Sequence, residues 1–96
     1  MADQDSVPIP RKGFHMESMD GEAVIYRHIA RKAIYLNESA AVVWQLCDGN
    51  RSIREIVDML AEAYPGARDE LSVDVMEAVE RLEREGALRI KPTGSN

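Results

Sequence analysis

The spacing of the apolar residues changes at Asn37, and this change restricts the chain to a sheet followed by helices. Before Asn37, a short β-branched and aromatic segment places Ile34 and Leu36 on one side, which is typical of a strand. After it, Ala40 and Val43 begin a series of apolar residues three to four apart, which is typical of a helix with one buried face. The pattern predicts an α+β fold.

The first third of the chain predicts an antiparallel meander. The Asp-Gly pair at residues 20–21 predicts a hairpin turn, because both central positions of a type I′ turn need positive φ. We expect strands over residues 14–19 and 22–27 on either side of this turn. A third strand is expected over residues 32–36, after a break near residue 30. The result is a three-stranded sheet with at least one free edge.

Helices with start and stop signals follow the meander. The first begins after Asn37 and ends at the Asp-Gly pair of residues 48–49. The second begins at the capping box of residues 52–55 and ends at the Pro-Gly pair of residues 65–66, with Tyr64 in its buried stripe. Each signal satisfies or ends the backbone hydrogen bonding of a helix, so the boundaries follow from local chemistry.

The third helix is expected to begin at Ser72, with Leu71 packing onto Met76, and to end at Gly86. Residues 87–90 alternate in polarity and predict a last short strand. A three-stranded meander, three helices and a closing strand are the outline of a winged helix-turn-helix fold.

A chain of 96 residues is long enough for one small domain. We place this domain at residues 12–91, between a flexible N-terminal arm of residues 1–11 and a flexible tail of residues 92–96. The longest apolar run is far shorter than the ~20 residues of a membrane helix, and the acidic start is not a secretory signal. With one cysteine, the chain suits a reducing compartment. We expect a cytoplasmic protein that binds no membrane.

No arrangement of residues in the sequence indicates catalysis, a metal site or a cofactor. His15, His28 and Cys47 belong to three different elements and lack the close pairing of metal ligands. Cys47 shares a helix face with apolar residues and is interpreted as a packed thiol. Ser39 lacks the flanking glycines of a nucleophile elbow, and the glycines are isolated at turns instead of forming a phosphate-binding loop. We therefore expect no enzymatic activity.

A winged-helix outline usually suggests DNA binding, with the third helix in the major groove. Residues 73–85 carry five acidic and two basic residues, and the whole chain has a formal charge of -5, which disfavours phosphate backbones. A DNA-binding regulator stays as the alternative prediction, and a module that dimerises through its edge strands is a third. The only basic cluster is interpreted as solvated strand ends and consists of Arg11, Lys12, Arg27, Arg31 and Lys32.

A free strand edge beside an amphipathic helix is the geometry for strand addition, in which an extended peptide pairs through its main chain. The third helix carries an apolar and acidic flank beside its buried stripe, which favours a peptide with apolar anchors and a basic residue. Alternatively, Val73 and Met76 only pack the start of the helix. The candidate peptide-binding residues are Lys32, Ala33, Ile34, Tyr35 and Leu36 on the strand and Val73, Met76, Glu77, Glu80 and Glu83 on the helix.

Three stretches of the sequence follow one another in a specific order: LNESAA at residues 36–41, WQLCDG at residues 44–49 and SIREI at residues 52–56. Together they resemble the PqqD-like family of peptide chaperones, also called RiPP precursor recognition elements. The pattern covers roughly residues 14–90. It continues through Leu60, Tyr64, Asp74, Val75, Leu82, Gly86, Ala87 and Leu88.

The resemblance implies a winged-helix domain that binds the leader of a ribosomally made precursor peptide and presents it to a modifying enzyme, often a radical SAM protein. In that family the leader pairs with the third strand and lies against the third helix, which correspond here to residues 32–36 and 73–83. Members that serve pyrroloquinoline quinone synthesis commonly have a Pro-Glu pair just before the third strand, where this chain has IARK at residues 29–32. The precursor therefore belongs to that pathway or to a lasso, thioether or other modified-peptide system. We expect a monomer or weak homodimer.

Overall fold

The computed structural model describes residues 3–20, 22–29 and 31–91, so the predicted tail at residues 92–96 lies outside the described residues. Strands and helices follow one another in the predicted order, with one additional strand at the N-terminus. They are β1 (Val7–Pro10), β2 (His15–Met19), β3 (Glu22–Arg27), β4 (Lys32–Leu36), α1 (Glu38–Leu46), α2 (Ile53–Ala63), α3 (Arg68–Arg84) and β5 (Leu88–Lys91).

β2, β3 and β4 form an antiparallel meander in that order, as the sequence predicts. Met19 and Glu22 are partners across the first turn. Between them Asp20 has φ of 45°, a left-handed conformation that suits a two-residue hairpin turn. The Gly21 of the predicted Asp-Gly turn lies outside the described residues. The meander therefore has the predicted register around a tight first turn.

The N-terminal segment differs from the predicted flexible arm. Val7–Pro10 forms β1, which pairs antiparallel with β5 in a separate two-stranded sheet. Just before β1, the carbonyl of Ser6 accepts a hydrogen bond from the amide of Ile53, at 2.9 Å, at the start of α2. Two prolines in four residues obscured this strand, because proline lacks an amide donor and is confined to sheet edges. The N-terminal segment thus lies on β5 and not on β4.

α1 and α2 begin at the residues that their caps predict. Asn37 Oδ1 accepts a hydrogen bond from the amide of Ala40 at 2.8 Å. Ser52 Oγ accepts one from the amide of Glu55 at 3.1 Å, while the Ser52 amide donates to Glu55 Oε1 at 2.9 Å. This reciprocal pair is a complete capping box. Both caps satisfy amides that the first turn of a helix leaves without an intrahelical partner.

α3 begins at Arg68, four residues before the predicted start at Ser72. No side chain caps this end of the helix, so the sequence carries no cap signal there. Gly66, with φ of +88°, turns the chain between α2 and α3. Asp69 and Glu70 then occupy the first turn of α3, where the helix dipole stabilises negative charge. The start of α3 is therefore stabilised by these two charges at the helix dipole and not by a side-chain cap.

Tyr64 differs from the predicted buried stripe of α2, because it is 60% exposed. The residue is the C-terminal cap of α2, with φ of -129°. This backbone conformation is outside the helical region, so the side chain leaves the line of the stripe. Tyr64 instead borders a surface cavity between the helices.

The core lies between the inner face of the meander and the three helices. Ile25 and Ile34 come from the sheet, Val57 from α2, and Val79 and Leu82 from α3, and each is at most 2% exposed. β5 closes the fold at nearly the predicted position, which completes the winged-helix outline. None of the described helices is both long and apolar enough to cross a lipid bilayer.

We expect Ser52→Ala to lower the free energy of unfolding by about 1 kcal/mol, because the variant loses the side-chain acceptor of the α2 cap. Urea unfolding followed by circular dichroism measures the change. Ser39→Ala is the matched control, since Ser39 is an exposed residue of the first turn of α1 and is not its cap. The control is expected to change stability by less than about 0.5 kcal/mol, and equal stabilities of both variants would contradict the assigned cap.

Candidate functional site

The outer edge of β4 has no strand partner within the described residues. Met19 and Glu22 flank a two-residue turn, so they form a hydrogen-bonded pair between β2 and β3. Because bonding alternates along an antiparallel strand, the backbone groups of the next residue, Ala23, point to β4. Ala23 is the register partner of Leu36. Leu36 therefore directs its backbone groups to β3.

The same alternation places the N–H and C=O groups of Ala33 and Tyr35 on the open edge, because these residues lie an odd number of positions from Leu36. The loop before the other end of β4 supports the same assignment of outward-facing groups. There the Arg31 amide donates to the His28 carbonyl at 3.1 Å, and Arg31 has φ of 50°, as in a four-residue loop built around a tight turn. Both ends of the strand thus give the same set of outward-facing groups.

The five predicted residues of β4 contribute in different ways. Ile34 and Leu36 are at most 2% exposed, and their side chains belong to the core. Lys32, Ala33 and Tyr35 are exposed. A molecule at this edge therefore meets the backbone of the strand and the exposed side chains of these three residues.

A groove runs beside the open edge, between the end of β4, the start of α1 and one flank of α3. Its volume is about 290 Å³. We call it the β4–α3 groove. It is lined by Leu36, Asn37, Ser39, Ala40, Asp74, Glu77, Ala78, Arg81 and Leu82.

Arg81 joins the wall of the groove to the strand edge. Its Nη2 donates to the carbonyl of Tyr35 at 2.9 Å, and its Nε donates to Glu85 Oε2 at 2.9 Å. The first contact supports the outward direction of the Tyr35 carbonyl that the register requires. Arg81 is not recognisable as a site residue from the sequence, because its spacing from Glu85 indicates only a helical ion pair and nothing in the sequence links it to Tyr35.

The predicted residues of α3 do not gather at the strand edge. Glu77 lines the β4–α3 groove. Val73 and Met76 line, with Glu77, another shallow depression of about 270 Å³ on the surface of α3, which adjoins the groove at Glu77. Glu80 and Glu83 line neither of these two cavities. Of the predicted helix residues, only Glu77 therefore lies beside β4.

The flank of α3 next to β4 is opposite to the flank that the helical pattern selected. At 100° per residue, Ala78 and Arg81 lie on one side of the buried stripe, whereas Met76 and Glu83 lie on the other. Periodicity locates the stripe of a helix but does not determine which of its two flanks adjoins a distant strand. Asp74 and Arg81 are the residues that the sequence analysis missed for this reason.

The wall of the β4–α3 groove is acidic. Asp74 and Glu77 line it, and neither takes part in an ion pair within the described part of the chain. The one basic residue of the lining, Arg81, is paired with Glu85. The groove therefore favours a guest with basic side chains and disfavours phosphate groups.

Among the described residues, no group of three His, Cys, Asp or Glu side chains is placed to hold a metal ion. His15 and His28 instead flank Tyr26, with ring centroids 5.8 and 4.9 Å from its ring. The Tyr26 hydroxyl donates to Glu17 Oε1 at 3.3 Å, and the charge of this carboxylate raises the pKa of Tyr26. These contacts form an aromatic cluster on the outer face of the meander.

The Cys47 thiol is buried at the end of α1. Burial, with a smaller contribution from the charge of Asp48, raises the pKa of Cys47 to about 12. Because the thiolate is the reactive form, a thiol with this pKa is a poor nucleophile near neutral pH. The structure therefore places Cys47 in the core, as the helix pattern predicts.

We expect Cys47 to react with a disulfide reagent such as DTNB at pH 8 at least about tenfold more slowly in the folded chain than in urea. Stability should also depend on pH. The folded thiol keeps its proton up to about pH 12, whereas the unfolded thiol loses its proton near the ordinary pKa of cysteine. The contribution of the buried thiol to the free energy of unfolding is therefore fully present below that ordinary pKa and is lost as the pH rises from there to about 12. Fast labelling of the folded chain would contradict the buried thiol.

The fold and the groove together define a small winged-helix domain with an open strand edge. The family model described as Coenzyme PQQ synthesis protein D (PqqD) matches residues 22–88. The chain belongs to the PqqD family.

Relatives named PqqA binding protein agree with this assignment. The one from Pseudomonas entomophila (strain L48) is 31% identical over 81% of this chain and 85% of its own length. The one from Rahnella aquatilis is 36% identical over 62% of this chain and 63% of its own. The one from Rhodopseudomonas palustris (strain BisB5) is 38% identical over 54% of this chain, which spans about half, 51%, of that relative.

A solved structure shares the fold. It is TbiB1 in complex with the TbiA(beta) leader peptide, which superimposes with a TM-score of 0.69. The match covers 92% of this chain and 98% of the other chain, at 18% sequence identity. The comparison confirms the predicted α+β winged-helix fold.

Proposed function

We propose that the chain is a non-catalytic peptide chaperone that binds the leader segment of a ribosomally made precursor peptide. The open edge of β4 beside an acidic groove is the observation that carries this proposal. The relatives named PqqA binding protein support it, as does the leader peptide bound by the structural neighbour TbiB1.

The guest peptide adds a fourth strand to the meander at β4. Ala33 and Tyr35 supply N–H and C=O groups for main-chain pairing, which accepts many sequences. Selectivity then comes from the groove. Asp74 and Glu77 line the groove and attract a Lys or Arg of the guest.

Arg81 bonds to one backbone group of the β4 edge, the Tyr35 carbonyl, when no guest is bound. A carbonyl oxygen accepts two hydrogen bonds, so the Tyr35 carbonyl can bond to Arg81 and to the guest at once. Unpaired strand edges promote association between copies of a protein, and a charged side chain at the edge reduces this tendency. Arg81 therefore protects the edge without closing it to a peptide.

The bound leader is presented to a modifying enzyme in the cytoplasm, for which a radical SAM enzyme is our proposed partner. The chain contributes by tethering, because holding the precursor at the enzyme raises its local concentration. This role requires no nucleophile, metal or cofactor from the chain itself.

The predicted alternative of a DNA-binding regulator is disfavoured by the charge of α3. This helix carries six acidic and three basic residues. Acidic side chains directed at phosphates lower the affinity for DNA, because they release no counterions and repel the backbone. We therefore propose no nucleic-acid partner.

The test is a titration of the ¹⁵N-labelled chain with synthetic peptides, recorded as amide chemical shifts. The panel consists of PqqA from Pseudomonas entomophila and the leader segments of short precursors encoded beside the gene of this chain. We expect at least one peptide to shift the amides of Ala33, Tyr35 and Arg81 at micromolar concentration. A panel that leaves all three amides unchanged would overturn the proposed function.

A further inference from the structure

A second cavity, of about 400 Å³, opens between α1, α2 and the start of α3. Its walls are mainly apolar. We call it the helical pocket. Its lining includes Glu38, Val42, Leu60, Tyr64, Leu71 and Asp74.

The helical pocket exposes large apolar side chains. Tyr64 is 60% exposed and Val42 is 36% exposed. Single apolar residues are common on protein surfaces, but here two of them border one concave site with partly buried Leu60 and Leu71. The volume is within the range of small-ligand sites, so one large side chain has ample space. Occupancy by an apolar group would remove this surface from water.

The helical pocket adjoins the β4–α3 groove. Ser39 and Asp74 line both cavities. The groove begins at Leu36, where β4 ends, and the pocket begins at Glu38, at the start of α1. A peptide that leaves the strand edge at this end therefore comes next to the pocket.

The rim of the pocket is acidic. Glu38 and Asp74 both line it, and neither belongs to an ion pair among the residues that the structure describes. No basic side chain contributes to the lining. A guest residue at the rim is thus favoured when it carries positive charge.

We propose that the helical pocket binds an apolar anchor of the same guest peptide, next to a Lys or Arg and just outside the segment that pairs with β4. This inference rests on the proposed function. The shared lining singles out the guest of the groove as the occupant, ahead of an unrelated small molecule or a helix of another protein. Selection of a precursor then depends on two separated features, a pairing strand and a basic-apolar anchor.

The test uses the tightest-binding peptide of the panel described above. Tyr64→Ala removes the exposed ring from the pocket, and we expect it to raise the Kd about tenfold. Glu38→Gln removes one rim charge, and we expect it to reduce the dependence of the Kd on salt. Met59→Ala is the matched control, because Met59 is a 39% exposed residue of α2 that does not line the pocket. The control should keep the Kd within about twofold of the parent.

A second measurement uses the unmodified chain, so its result does not depend on the folding of a variant. A nitroxide label is placed in turn at each end of the peptide. One of the two labels should broaden the amide signals of Val42 and Tyr64 by paramagnetic relaxation, and the other should not.

Two results overturn different claims. If the peptide shifts Ala33 and Tyr35 but neither label broadens the pocket amides and Tyr64→Ala binds as the parent does, the pocket proposal is wrong and the proposed function stands. If no peptide of the panel binds at all, the proposed function fails and this inference fails with it.

Discussion

Tyr35→Pro is expected to weaken binding of the leader peptide by about ten- to a hundredfold while the chain stays folded. The substitution removes an outward-facing amide of β4 and leaves a carbonyl of the guest without its donor, which costs about 1–3 kcal/mol. Proline is tolerated at a strand edge when the missing N–H faces away from the sheet. Isothermal titration with the parent and the variant measures the change in Kd.

Two further variants make this result specific to the amide. Tyr35→Ala keeps the N–H and removes only a side chain that is 72% exposed, so its Kd should stay within about threefold of the parent. Ile34→Pro removes an amide that faces β3 and should unfold the sheet. If Tyr35→Pro binds as tightly as Tyr35→Ala, the peptide does not pair with β4 in the register described.

Leu82→Ala is expected to lower the free energy of unfolding by about 2–5 kcal/mol, which is a large fraction of the stability of a small domain. Leu82 is 0% exposed and belongs to the stripe of α3 that packs on the core. It also lines the β4–α3 groove, so its loss should loosen the helix that forms the groove wall. Urea unfolding measures the effect.

The control for Leu82→Ala is Leu82→Met, which conserves volume and should cost less than about 1.5 kcal/mol. A loss below about 1 kcal/mol in Leu82→Ala would contradict the packing of α3 described above. A variant too unstable to purify would be consistent with it, and Leu82→Val then supplies a smaller cavity for measurement.

Local signals in the sequence predicted the parts of the fold that local chemistry determines. Asn37 and Ser52 begin α1 and α2 because each cap bonds to an amide three residues ahead. The alternation of Ile34 and Leu36 predicted which side of β4 is buried. These features depend only on residues within one turn or one strand, so they can be predicted from a single sequence.

The features that the sequence did not predict depend on distant partners. β1 exists because Val7–Pro10 pairs with β5, some eighty positions away, and its prolines are typical of a loop. The contact of Arg81 with the Tyr35 carbonyl joins α3 to β4, and no pattern within either element encodes it. The flank of α3 beside β4 likewise follows from the packing of the whole domain. The side chains that line the candidate site are therefore determined by contacts between distant parts of the chain, which a single sequence does not reveal.

Amide hydrogen exchange with and without saturating leader peptide shows directly whether a guest strand pairs with β4. We expect the Ala33 and Tyr35 amides to exchange fast in the free chain and to become protected in the complex. The Ile34 amide, which pairs with β3, serves as an internal reference and should be protected in both states. Fast exchange of Ala33 and Tyr35 in a saturated complex would contradict the addition of a guest strand to β4.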